Sequence, residues 1–259
     1  MNIGISSSCF YPLETERSLR RVGEAGAKTT EIFFNTPSEL TGDLLHELCA
    51  IRDHYGMTVS SVHPFQSFAE GYWLFSEYRR RFTDALDLYA PLFAAAAVLG
   101  AKFAVFHGAK KLVIDDTEYA ERFFHLNERA KQFGVIAAHE NVVHYVGETP
   151  AFMVRLYELL GDEFHMVLDL KQARRAGEDP FVFLSRLKQR IIHLHVSDGT
   201  PDADCLPPGE GAFDFRRLKA ALDDLGYDGA LMIELYRDNF RHDAQLTKAK
   251  QFLEAIWTE

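Results

Sequence analysis

The 259-residue sequence predicts an α/β fold, a (β/α)8 barrel formed as a single domain over residues 1–259. Three observations carry that expectation. Eight short β-rich runs alternate with eight helix-patterned segments, the order that builds right-handed βαβ units around a parallel sheet. The length suits eight such units. After the first β-rich run the chain reads SSSCFYP, without the glycine-rich phosphate turn that a doubly wound open sheet would favour there.

The elements follow in order. Residues 3–8 (IGISSS) form the first strand, and a helical pattern covers 14–26. Residues 29–34 (TTEIFF) precede a helix over 39–55, with Ser38 ahead of Glu39 as its start and Gly56 at its end. Residues 57–63 (MTVSSVH) lead into a helical stretch over 72–99, closed by Gly100. Residues 102–108 (KFAVFHG) come before a helix over 116–132, which Asp115 and Asp116 introduce and Gly134 follows. Residues 134–140 (GVIAAHE) precede a helix over 150–161, opened by Thr149 and Pro150 and ended by Gly161. Residues 165–170 (HMVLDL) precede 180–189, opened by Asp179 and Pro180. Residues 191–197 (IIHLHVS) precede 214–225, opened by Asp214 and followed by Gly226. Residues 230–236 (ALMIELY) and a helix over 242–257 complete the series.

Composition narrows the function classes. Apolar residues make up 47% and charged residues 25%, as in ordinary globular proteins. A net charge of −10 argues against broad nucleic-acid or anionic-membrane binding. The three cysteines, Cys9, Cys49 and Cys205, form no CxxC pair and fit a reducing compartment. MNIGISSSCF lacks the basic and long apolar regions of a signal peptide, and the most apolar run, residues 91–101, is too short to span a bilayer. A cytoplasmic location is expected, with no membrane partner.

In a barrel of this kind, chemistry sits where the strands end at their carboxyl side. The last inward residues of six consecutive strands are His63, His107, Glu140, Asp169, His195 and Glu234. Charged groups are rarely buried unless paired or ligated, so six convergent polar ends need a common reason. Asp169 and Glu234 close strongly apolar runs, MVLD and LMIE, and such anions need a cation. A single divalent ion held by Glu140, Asp169, His195 and Glu234 would supply it. Three oxygens and one nitrogen suit Mn, Co, Mg or Zn. His193 faces the same way one layer below and is expected to support His195. Asp198 is expected to orient His195 or a neighbouring loop. In the loop 201–215, Glu210 lies between two glycines and reads as a rim group near a substrate. Cys9 is expected to line the pocket, and His139 to face the helices.

AAHENV around Glu140, MVLDLKQA around Asp169, HLHVSDG around His195, LPPGEGAFDF and MIELY around Glu234 resemble the xylose isomerase-like barrel superfamily. The resemblance covers nearly the whole chain. That superfamily holds sugar isomerases and epimerases, inosose dehydratases and apurinic-site endonucleases. It implies a metal-dependent sugar isomerase or epimerase in carbohydrate metabolism, acting on a sugar or polyol. Glu140 and Glu234 would be the acid/base pair. His63 and His107 would bind sugar hydroxyls, and Phe65 and Trp73 would stack on the sugar's apolar face. Two positions depart from the pattern. Gln172 stands where the superfamily commonly has a histidine; it can bind a hydroxyl but is a poor metal ligand. No arginine follows His195 closely, which leaves Arg174, Arg175 or Arg237 to contact the substrate. An inosose-type dehydratase using the same metal site is the alternative, with an endonuclease or a non-catalytic sugar-binding subunit behind it. The oligomeric state, a homo-oligomer included, stays open.

Overall fold

The structure, a computed structural model, describes residues 1–258. Eight parallel strands close in sequence order into a barrel, with β1 pairing β8. They are β1 Asn2–Ser6, β2 Thr29–Phe33, β3 Thr58–His63, β4 Phe103–Phe106, β5 Ile136–Glu140, β6 Met166–Asp169, β7 Ile191–Val196 and β8 Ala230–Ile233. Helices α1 Thr15–Glu24, α2 Gly42–Tyr55, α3 Glu70–Trp73, α4 Arg79–Leu99, α5 Asp116–Lys131, α6 Pro150–Leu160, α7 Leu170–Arg175, α8 Pro180–Leu187, α9 Phe215–Asp224 and α10 Ala244–Thr258 follow the strands.

Strand alternation sorts the apolar residues into two clusters. Outward positions such as Ile5, Ile32, Val62, Leu168 and Leu194 pack beneath the helices in the large one. Inside the barrel a small plug of Phe103, Val105, Ala138 and Val167 fills the lower layers. Gly4 leaves room there for Met232, because a Cβ would meet its sulfur and the Thr29 carbonyl.

Capping follows the expected chemistry at several helices. Asp115, Thr149, Asp179 and Asp214 each accept a backbone N–H at the start of α5, α6, α8 and α9. Three expectations need correction. Ser38 starts no α-helix: residues 37–40 form a 3-10 turn in which the Glu39 carboxylate accepts the N–H of Asn35 at 2.6 Å, and α2 begins at Gly42. The stretch 72–99 is broken, because the Arg122 guanidinium takes the Leu74 and Ser76 carbonyls at 2.7 Å and the backbone at Tyr78 is extended. Helix α7 was not foreseen; six residues are too few for a period to show.

The apolar run 91–101 lies in α4 as far as Leu99, where the helix ends. That helix is long and apolar enough to cross a membrane, with a mean hydropathy of 1.4. Here Ala85, Tyr89, Leu92, Phe93, Ala96 and Leu99 bury one face of it in the core.

Candidate active site

Register brings the four carboxyl-end residues together. Asp169 on β6 lies beside His195 on β7, and Glu140 and Glu234 end or follow β5 and β8. One ligand atom from each of Glu140, Asp169, His195 and Glu234 lies within 4.8 Å of the others. His195 Nδ1 is 3.1 Å from Glu140 Oε1, 3.5 Å from Glu234 Oε2 and 3.9 Å from Asp169 Oδ2. Asp169 Oδ1 accepts the Gln172 N–H at 2.9 Å and so caps α7. Its other oxygen, Oδ2, is buried and makes no hydrogen bond, although the Lys171 ammonium lies 3.3 Å away as an ion-pair partner. An orphaned buried carboxylate oxygen, three oxygen donors and one imidazole nitrogen together fit a divalent cation such as Mn, Co, Mg or Zn.

Electrostatics agree with that fit. Burial pushes Asp169 up to about 6; Lys171 opposes this, and the Glu140 and Glu234 charges add to it. Burial would lower His195, but Glu31, Glu234 and Glu140 outweigh it and hold the ring well above its ordinary value. Burial would raise Glu140, yet His195 and His107 hold it well below the carboxylate range. The cluster thus keeps carboxylates ionised around a proton on His195, which a bound cation would replace.

Above these groups opens a cavity of about 530 Å³, lined among others by Ser8, His63, His107, Glu140, Lys171 and Glu234. His63 Nε2 lies 2.8 Å from His107 Nε2, and His107 Nε2 lies 3.0 Å from Glu140 Oε2. Burial, then the neighbouring His107, lowers His63 to about 4. Phe65 and Gln172 also line the cavity; Gln172 Oε1 accepts the Val143 N–H at 3.2 Å.

Other expected contacts lie elsewhere. Trp73 is not in the lining; it packs on the core beside Tyr72. Glu210 is exposed and held by Gln245 at 2.9 Å, because the tight turn points it outward rather than over the mouth. Arg237 is outside the lining and donates to the Phe240 carbonyl at 2.8 Å. Arg174 and Arg175 pair with Asp204 instead of replacing the absent arginine. Cys9 lies behind the wall: its thiol contacts the Ile233 carbonyl and the Leu235 N–H, and burial pushes it up to about 12.

His193 is fully buried, with Nε2 3.5 Å from Ser61 Oγ and its ring edge-on to Phe103. His139 faces α5, 2.9 Å from the Tyr119 hydroxyl. Asp198 does not contact His195. Its carboxylate accepts the N–H groups of Gly199, Gly209 and Phe213 at 2.8–2.9 Å and so staples the loop after β7. A Cβ at Gly211 would strike that carboxylate, which is why the loop needs glycine there.

Two residues went unread in the sequence. Glu31, inward on β2 and fully buried, has Oε2 3.0 Å from His195 Nε2 and accepts Ser6 and Ser61 hydroxyls at 3.1 and 2.8 Å. It binds the far nitrogen of His195 and leaves Nδ1 for the four-residue centre. Its signal was a glutamate at an inward position of an otherwise uncharged strand. Lys171, 1% exposed, places Nζ 3.0 Å from Glu234 Oε2 and 3.3 Å from Asp169 Oδ2.

Residues 19–256 match the xylose isomerase-like TIM barrel family. An inosose dehydratase of Lacticaseibacillus casei is 26% identical over 154 residues, 50% of this chain and 51% of that protein, so the chain spans about half the length of this relative. Fructoselysine 3-epimerase of Escherichia coli O157:H7 is 23% identical over 261 residues, 91% of this chain and 90% of the relative. A solved D-tagatose 3-epimerase-like protein superposes with a TM-score of 0.78 at 23% identity, covering 100% of this chain and 97% of the other. At that identity the superposition speaks for a shared fold.

Proposed function

The chain belongs to the xylose isomerase-like TIM barrel family, and from that premise we propose that it is a divalent-metal-dependent sugar isomerase or epimerase. The observation that carries the reading is the centre of Glu140, Asp169, His195 and Glu234, two of whose carboxylates, Glu140 and Glu234, line a cavity of about 530 Å³. A cation held there would supply the electrophile that makes a proton beside a carbonyl acidic enough to remove.

The chain's own groups supply the rest. Glu140 and Glu234 both line the cavity and serve as the acid/base pair. One takes the proton from the carbon beside the carbonyl. The C–H electron pair becomes the new C=C bond, and the carbonyl pair moves onto oxygen, giving an enediolate. The other returns a proton, to the opposite face for epimerisation or to the neighbouring carbon for isomerisation. His107 at 3.0 Å fixes Glu140, while Ser8 at 3.4 Å and Lys171 at 3.0 Å fix Glu234. His63, His107 and Gln172 offer hydrogen bonds to hydroxyls, and Phe65 an apolar face. Lys171, the one lysine or arginine in the lining among the described residues, is already paired with two carboxylates, so an unphosphorylated sugar fits better than a phosphorylated one.

An inosose-type dehydratase is the second reading, favoured by the similarity to the L. casei enzyme. It shares the first proton abstraction and then expels hydroxide. Both readings are tested by incubating metal-loaded protein with free ketoses and inososes in D₂O and following the substrate by proton NMR. Deuterium entering beside the carbonyl is expected, and the product separates epimer or isomer from enone. No exchange into any member of the panel would overturn the reading.

A further inference from the structure

We infer that Lys171 touches the substrate and donates a hydrogen bond to the oxygen that turns anionic as the enediolate forms. The inference rests on the proposed proton transfer and adds to it a residue that the four-residue centre does not include.

Lys171 directly follows β6 in α7 and is enclosed, yet it lines the cavity beside Glu234. Its position is held from three sides. Glu234 Oε2 accepts from Nζ at 3.0 Å, Asp169 Oδ2 lies at 3.3 Å, and the Tyr236 ring covers it at 4.6 Å. Tyr236 is itself fixed by Arg175, which donates to its hydroxyl at 2.8 Å. An ammonium carries three donors. Glu234 accepts from one, Asp169 Oδ2 at 3.3 Å is an ion-pair partner without a hydrogen bond, and no other protein acceptor faces Nζ among the described residues. The donor capacity left over belongs to a charged group in the lining of a cavity suited to a polyol.

Burying a lysine requires compensation, and packing alone would be served as well by methionine. A substrate oxygen next to the carbon that exchanges its proton with Glu234 comes within reach of Nζ, because Nζ and the Glu234 carboxylate are already in contact. In the step itself, the C–H proton passes to a glutamate carboxylate and the carbonyl electron pair moves to oxygen. Lys171 keeps its proton and offers a pre-placed dipole and charge to that oxygen.

The test uses Lys171→Met and Lys171→Arg in metal-loaded full-length protein, with the ketose or inosose that the wild type exchanges in D₂O. Lys171→Met is expected to lower the exchange kcat by about 100-fold or more, as for loss of one pre-placed donor, with KM changing far less. Metal content and thermal midpoint are recorded alongside. Exchange by Lys171→Met within a few-fold of wild type would overturn the role of Lys171 and leave the proposed function standing. A wild type that exchanges nothing would overturn both. Should Lys171→Met fail to fold or to hold metal, Lys171→Arg decides. It keeps the charge but moves the donor, so a fall in kcat with metal retained supports the inference, and wild-type kcat contradicts it.

Discussion

His195 lies between two buried carboxylates, Glu31 at Nε2 and Glu140 at Nδ1, and this decides what each nitrogen can do. Only Nδ1 faces the other three ligand atoms. His195→Ala should therefore abolish metal retention. His193→Ala should keep the metal but lower unfolding free energy by about 2 kcal/mol or more, since it empties a buried ring position. Metal analysis with denaturant titration checks both, and equal metal retention would contradict the assignment. Glu31→Gln should weaken metal binding about 10- to 100-fold by titration calorimetry while leaving all four ligands in place. Protons compete with the metal for the same lone pairs. Asp169, raised to about 6, and His195, raised well above its usual value, must both lose their protons, so affinity should fall as pH drops from 8 through 6. An affinity independent of pH over that range would contradict it. The four clustered residues were legible because each ends an apolar strand. Glu31 was not, because it sits within its strand between Thr30 and Ile32 rather than at the strand's end, and Lys171 was not, because nothing local says that a lysine after a strand stays buried.

Short elements do the positioning. Helix α7 is capped by Asp169, so the residue that holds the orphaned oxygen also aims Lys171 and Gln172. Glu70, in α3, ties the loop after β3 to the end of β4. Its carboxylate accepts the N–H of His107 at 2.9 Å, the N–H of Gly108 at 2.6 Å and the Tyr89 hydroxyl at 2.7 Å. Burial raises Glu70 from 4.5 to about 7. A carboxyl raised in the folded state binds its proton more tightly there. Its stabilising contribution is complete below pH 4.5 and is lost as pH rises through 7, on the order of 3 kcal/mol. Chemical denaturation between pH 5 and 7 should show this slope in wild type and a smaller one in Glu70→Gln; equal slopes would contradict it. Residues 201–215 show where reading by type fell short. The glycines spoke for a tight loop, but not that Asp198 would gather its N–H groups or that Glu210 would turn to Gln245.

At the scale of the whole molecule, strand–helix alternation and length were enough to read the barrel, because both periods recur eight times. The interior was harder to read: an apolar plug lies below, and Glu31, Ser61 and His193 form a polar layer between it and the mouth. Among the described residues, Lys171 is the one lysine or arginine paired directly with the carboxylates of the mouth. A cation there stabilises the folded chain by mass action, about 2.7 kcal/mol at a hundredfold excess over Kd. For a chain of this size, chelation should lower the thermal midpoint by on the order of 5–10 °C. The same logic identifies the decisive measurement, metal content per chain by plasma mass spectrometry on protein purified without chelator or added metal. The account predicts about one Mn, Co, Mg or Zn ion per chain, lost in His195→Ala. No metal, even after soaking, or undiminished metal in His195→Ala, would contradict it.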